Sequence, residues 1–309
     1  MSKPLDRLAL LETFVRIAER GSISAAARDL GLSQGSASRQ LAALEDRLAV
    51  QLIRRTTHSL ALTEAGLEVL ADARALIGRW EALEERHAAD AQTLKGPLRV
   101  VAPVALGQMH LADIAVGFQA THPEVSIHWR LEDEPIRFAE IGCDCWIKIG
   151  PIPDESLIVR HLGRVERLLV ASPALAGRCQ TAQNRQQAQP EDVQHLPFVT
   201  LTPFEGSKIG LFGPEGARME WAVSPTLSTN NIFSLKRAVL SGLGAAILPR
   251  WFVAEDLAAG SLVDLLPDWR AKTLNITLAY LPARQQPRRL SAFIAALEAG
   301  CRAIPGIER

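Results

Sequence analysis

The 309-residue chain carries no net charge, with 34 Lys and Arg against 34 Asp and Glu. Neutrality taken alone argues against a nucleic-acid binder, so the distribution of charge has to decide. No apolar run is long enough to span a bilayer. Met1-Ser2-Lys3-Pro4 leads directly into an amphipathic pattern, without the apolar core of a signal peptide. A soluble, cytoplasmic protein with no membrane partner is expected. Cysteine is sparse: Cys143, Cys145, Cys179 and Cys301 are expected as reduced thiols in that compartment. Neither His nor Cys stands at the sequence spacing of a zinc site, and the seven histidines form no cluster. No metal and no cofactor are therefore expected. The chain also lacks a nucleophile elbow, a Walker loop, a dinucleotide fingerprint and internal repeats, so no catalytic residues are assigned and an enzyme is disfavoured.

What is present is ordinary globular composition, 48% hydrophobic and 22% charged, at a length suited to about two domains. Charge is segregated. Residues 1–62 hold nine bases and six acids, and residues 63–95 hold four bases and seven acids. The basic end is N-terminal.

Leu8, Leu11, Val15 and Ala18 recur at helical spacing, and Gly21 stops that helix. Ser22 can cap a second, two-turn helix that ends at Gly31. Ser33 can cap a third, running to about Leu48 and burying Ala37, Leu41, Leu44 and Leu48. Two helices joined at a glycine turn form a helix-turn-helix. The opposite face of the third helix shows Gln34, Ser36, Ser38 and Arg39, side chains able to reach base edges and phosphates from the major groove. Residues 51–63 read as two short strands around a polar turn, a wing whose Arg54, Arg55 and His58 would lie against the DNA backbone or minor groove.

The segments Ser22-Ile23-Ser24-Ala25-Ala26-Ala27-Arg28-Asp29-Leu30-Gly31-Leu32-Ser33-Gln34, Ser38-Arg39-Gln40-Leu41-Ala42-Ala43-Leu44-Glu45, Leu52-Ile53-Arg54-Arg55 and Leu62-Thr63-Glu64-Ala65-Gly66 closely resemble the signature of LysR-type transcriptional regulators. Ser24 thereby joins the candidate DNA-contacting set. The family usually has Pro at Gly35 and often Phe at Ile53.

From Thr63 a helix free of proline can run to about Ala91. Gly66, Val69, Ala73, Leu76, Trp80, Leu83 and His87 alternate spacings of three and four, a heptad seam that wants a partner. The alternative is packing on its own chain. The resemblance favours an antiparallel homodimer, and a homotetramer built as a dimer of dimers. Thr93-Leu94-Lys95-Gly96-Pro97 marks a hinge.

Beyond it, strands at 98–102, 125–131 and 144–149 alternate with helices at 106–121 and 135–141, implying a parallel sheet with a ligand site at the strands' carboxyl ends. That edge carries Pro103, Val104, Ala105, Leu106 and Lys148. The helix start near Ala105 offers N–H groups suited to an anion. Asp144-Cys145-Trp146-Ile147-Lys148-Ile149-Gly150, Val170-Ala171-Ser172-Pro173 and Gly242-Leu243-Gly244-Ala245-Ala246-Ile247-Leu248-Pro249 also resemble the family's effector domain. The resemblance covers nearly the whole chain. It implies two α/β lobes like a periplasmic binding protein, crossed by the chain near 163–168 and 266–273. The effector cleft would be lined by Pro103, Val104, Ala105, Leu106 and Lys148, with Thr202, Phe204, Asn230, Asn231 and Leu248 from the other lobe. Relatives commonly carry Ser or Thr at Ala105 and Arg at Lys148. Losing that hydroxyl and that fork of donors favours an apolar or neutral effector, or none, over a planar carboxylate.

The expected architecture is α plus α/β. A winged helix-turn-helix occupies 1–62 and a dimerising linker 63–93. The effector domain occupies 94–309, with lobe I at about 97–165 and 270–309 and lobe II at about 166–267. The partners implied are double-stranded DNA and a small-molecule effector. A solute-binding protein and a redox-sensing regulator stand as alternatives. Cys143 and Cys145, two apart on one strand face, read as buried structural thiols. Residues 177–194, rich in Gln and Ala, read as a mobile surface loop.

Overall fold

A computed structural model describes residues 6–55, 60–87, 93–180, 189–202, 204–205, 207–282 and 286–308. The N-terminal unit opens with α1 (Arg7–Arg20), α2 (Ile23–Asp29) and α3 (Gln34–Leu48). Each boundary has a local cause. Asp6 accepts from the Leu8 N–H, Ser22 from that of Ala25 and Ser33 from that of Ser36, satisfying orphan donors at the three helix starts. Gly21, at φ 58°, ends α1 in the left-handed region that glycine enters without strain. Leu10, Phe14, Ile17, Ala37, Leu41 and Leu44 close a common core, where a fully buried Leu or Phe contributes about 1.5–3 kcal/mol. Leu48, expected inside, is 45% exposed. The helix ends there, and Ala49 turns left-handed at φ 53°, so the last position of the stripe swings off the core.

The wing is a two-stranded antiparallel ribbon, β1 (Ile53–Arg55) with β2 (Leu60–Leu62). Glu45 of α3 fastens it by accepting from the Leu52 and Ile53 N–H groups at 2.8 and 3.2 Å. The linker α4 (Glu64–His87) follows, and residues 88–91 of its expected length lie outside the described residues. Leu70 and Ala73 are buried in the N-terminal core, with Val69 and Ile77 packed on it. Gly66 is the close approach: a Cβ there would collide with the Leu52 carbonyl oxygen. Gly66→Ala is therefore expected to cost about 1–3 kcal/mol, read as a lower melting temperature. An unchanged melt would mean that the wing yields.

The C-terminal part begins with β3 (Gly96–Ala102), a one-turn α5 (Val104–Leu106), a π-helical turn Gly107–Leu111 and α6 (Ala112–Thr121). The chain goes on through β4 (Val125–Leu131), α7 (Phe138–Ile141), β5 (Cys145–Ile149) and β6 (Ile158–Val165). It crosses at Glu166 into β7 (Arg167–Ala171), α8 (Pro173–Gln180), α9 (Pro190–Val193), β8 (Val199–Leu201), β9 (Lys208–Phe212) and β10 (Arg218–Ala222). Next come β11 (Leu227–Thr229), α10 (Ile232–Leu240), β12 (Ala246–Pro249), α11 (Arg250–Ala258), β13 (Val263–Asp264) and β14 (Arg270–Ala271). After Lys272 and Thr273 it returns with β15 (Leu274–Tyr280), α12 (Arg288–Cys301) and β16 (Ile307–Glu308). Two lobes result, joined by two crossings.

The first lobe's sheet has the order β16-β6-β15-β5-β3-β4. Only β3 with β4 and β5 is parallel, while β15 runs antiparallel to both β5 and β6. The three strands expected to run parallel, β3, β4 and β5, do so, and β15, β6 and β16 extend that sheet in antiparallel pairs. The cause is that β15 enters from the second lobe instead of by a helical crossover. The two cysteines do not share a strand face either. The strand begins at Cys145, which joins the main core, while Cys143 packs in a separate cluster with Trp146 and Phe138. The 177–194 stretch is helical at both ends, through α8 and α9, and 181–188 lie outside the described residues.

Candidate functional site

Two regions carry the side chains singled out from the sequence. The first is the outer face of α3 with α2 and the wing. Gln34 and Arg39 are exposed, Ser36 and Ser38 half-buried, and Ser24 is exposed on α2. The Arg39 guanidinium donates to the Ser36 hydroxyl at 3.1 Å, and Ser33 Oγ donates to Ser36 Oγ at 2.9 Å. Arg39 is thus held over the capped start of α3, pre-oriented on the outer surface. Arg54 is exposed on β1. Arg55 pairs by its backbone with Leu60. His58, the remaining wing residue, lies outside the described residues.

The second is a cleft of about 330 Å³ between the lobes, within the range of small-molecule sites. Pro103, Ala105, Leu106 and Lys148 line it from one side, and Thr202, Phe204 and Asn230 from the other. Three expected residues stand apart from this wall. Val104 does not line it, and its N–H donates to Asp133 Oδ1 at 2.9 Å. Asn231 is the N-cap of α10, accepting from the Ser234 N–H at 3.0 Å. Leu248 is fully buried on the other face of β12, and its neighbours Ile247 and Pro249 line the cleft instead. Side chains alternate along a strand, so an error of one residue reverses the face. One donor of the anion site expected at the helix start, the Val104 N–H, is taken by Asp133, a carboxylate of the chain itself.

Residues not foreseen carry the cleft's electrostatics. Arg167 and Glu205 form a buried ion pair in its wall, 7% and 4% exposed. Arg167 Nε also donates to the Lys272 carbonyl at 2.8 Å, so one side chain touches both crossings. Burial pushes the Glu205 carboxyl above its usual range despite Arg167. Glu132, Asp133 and Glu134 follow β4 at the rim. Burial lowers the pKa of Lys148, with Asp133 and Glu134 opposing the shift. Four acids thus face two bases. The acid run was visible in the sequence, but Glu205 offered no signal there.

The thiols are poor candidates for chemistry. Burial raises Cys143 to about 12 and Cys301 to about 11, and Cys145 rises as well, which starves them of thiolate. Among the described residues no group of three His, Cys, Asp or Glu could hold a metal, and no helix is long and apolar enough to cross a membrane.

Comparison with known proteins covers both regions. A family model described as "Bacterial regulatory helix-turn-helix protein, lysR family" matches residues 8–67, and "LysR substrate binding domain" matches 91–302. The HTH-type transcriptional regulator YhjC of Escherichia coli is 31% identical over 94% of this chain and 96% of its own. PtxR of Pseudomonas aeruginosa is 32% identical over 96% and 95%. Among solved structures, full-length OxyR of Pseudomonas aeruginosa aligns with a TM-score of 0.71 at 18% identity, covering 99% of this chain and 97% of that one. The Vibrio cholerae virulence activator AphB aligns with 0.58 at 24%, covering 95% and 99%.

Proposed function

Since this chain belongs to the LysR family of bacterial regulators, a DNA-binding transcriptional regulator with an effector-binding domain, we propose how its parts divide the work. Residues 1–62 read DNA, 63–93 dimerise, and 94–309 bind the effector, with lobe I at about 97–165 and 270–309 and lobe II at about 166–267. Ser24, Gln34, Ser36, Ser38 and Arg39 meet base edges and phosphates, and Arg54, Arg55 and His58 hold the backbone or minor groove. Pro103, Ala105, Leu106, Lys148, Thr202, Phe204 and Asn230, with Ile247, Pro249 and the Arg167–Glu205 pair, contact the effector. The working unit is a homodimer through α4 that doubles to a tetramer. The effector shifts the balance between quaternary states by binding one of them better. It acts as a regulator, not as an enzyme.

One observation carries this reading. The capped, polar face of α3 points outward on a unit whose linker helix also packs against the domain that encloses the cleft, Arg289 of α12 bonding Glu81 of α4. The test is a gel shift on the DNA upstream of the protein's own gene. Arg39→Ala is expected to weaken specific binding by about 1–3 kcal/mol and leave the thermal melt unchanged. Unaltered operator affinity would remove Arg39 from the reading set.

A further inference from the structure

The cleft's charge runs opposite to what a carboxylate ligand needs. Glu205 belongs to the lobe that holds β7–β14, and Glu132, Asp133 and Glu134 belong to the loop after β4 on the other lobe. Lys148 and Arg167 are the bases in the wall, so acids exceed bases by two. Glu205 Oε1 is taken by Arg167. Glu205 Oε2 is buried and, among the described residues, meets no hydrogen-bond donor at full bonding geometry, the Leu201 N–H being the one backbone donor that bears on this carboxylate. A buried acceptor left unpaired costs free energy until a donor reaches it. One of the backbone donors at the helix start, the Val104 N–H, is already taken by Asp133, a carboxylate that faces the same side of the cleft. The rest of the wall is mainly apolar, with Pro103, Pro135, Phe204, Ile247 and Trp251, which disfavours a polyol.

Resting on the reading of this cleft as the effector site, we propose that its effector is a small organic cation: an apolar body bearing a protonated amine, seated between Glu205 of one lobe and the acidic loop of the other. The ammonium donates to Glu205 Oε2. Its charge offsets the acid surplus facing it from both walls, which favours lobe closure. Lys148, at the same rim, disfavours a cation and limits how tightly one binds. The upward push that burial gives the Glu205 carboxyl fits a site that lacks one positive charge.

The test uses the full-length protein and matched probes: benzylamine and phenethylamine, benzoate and phenylacetate, and benzyl alcohol. Saturable rises in melting temperature report binding to the folded state, and titration calorimetry gives the affinities. The amines are expected to bind and the carboxylates not. Glu205→Gln is expected to weaken amine binding by about 30-fold. Lys148→Met removes a half-buried base from the cleft without orphaning a buried partner, and is expected to strengthen amine binding. It also decides the matter should Glu205→Gln fail to fold. A carboxylate that binds, and is lost in Lys148→Met, would overturn the cation proposal and leave the cleft as the effector site. Amine binding that is unchanged in Glu205→Gln and weakened in Lys148→Met would also overturn it. Blank results with all three probe classes would count against both the cation and the cleft.

Discussion

A protein carrying Leu76→Glu and Trp80→Glu is expected to sediment as a monomer and to lose operator affinity by about 10²–10⁴-fold, the usual contribution of joining two binding events. The helix α4 has three faces. Leu70 and Ala73 are buried against the N-terminal core. Arg74 and Glu81 form the second, where Arg74 pairs with Glu19 of α1 and Glu81 with Arg289 of the effector domain. Leu76, Trp80 and Leu83 make the third face and stand 50%, 46% and 37% exposed. Their spacings of four and three trace the second half of a heptad seam whose first half is spent within the chain. Two large apolar side chains and a Leu left in water on one face mark an association surface. Four added carboxylates facing one another across the pair would prevent it. These positions touch no core of their own chain, so the melting temperature of the monomer should hold. A variant that stays dimeric would place the self-association surface elsewhere.

Arg167→Ala is expected to destabilise the fold by about 3–5 kcal/mol, the usual consequence of stripping one partner from a buried ion pair. Glu205 would keep its charge with nothing to balance it, and the Lys272 carbonyl would lose its donor. The loss depends on pH, and its sign follows from the direction of the Glu205 shift. Burial raises this carboxyl in the folded state even with Arg167 present, and more so without it. A group whose folded pKa is raised favours the folded state at low pH, and that advantage fades as pH rises through the folded value. The deficit of Arg167→Ala should therefore be smallest well below the ordinary Glu value of about 4.3, where the carboxyl is protonated in both states, and grow towards neutrality. Chemical denaturation at several pH values measures this. A deficit independent of pH would show that the lost packing of the arginine stem, not the charge, sets the cost.

The DNA-reading unit was legible because its boundaries are written in local chemistry. Ser22 and Ser33 can act only on the next turn of backbone, and Gly21 supplies the one conformation that ends α1 there. Neither needs a distant partner to be understood. The sheet of the first lobe was half legible. The alternation of β4 and the helix after β3 gave the parallel strands, but the direction of β15 depends on where the chain returns from, more than 100 residues after it left. In the cleft, Leu248 failed for a different reason. Residues 246–249 are buried on both faces, so the strand has no polar alternation from which parity could be read. Glu205 was invisible because its meaning comes from Arg167, 38 residues away. The π-helical turn at Gly107–Leu111 was also missed. A Cβ at Gly107 would strike Leu131, a fact about tertiary packing that helical periodicity does not contain.

Arg289 binds the Pro97 carbonyl at 2.7 Å and the Glu81 carboxylate, and its place in the chain sets an order of events during synthesis. It is made 192 residues after Pro97. At about 5–20 residues per second, the ribosome needs tens of seconds to bridge that gap. The residues that build the N-terminal core, Leu10 to Ile77, are all made before the interval begins, while the residue that clasps the linker is not. Each newly made molecule thus passes through a period in which every residue of its N-terminal unit has been made and the clasp on its linker has not.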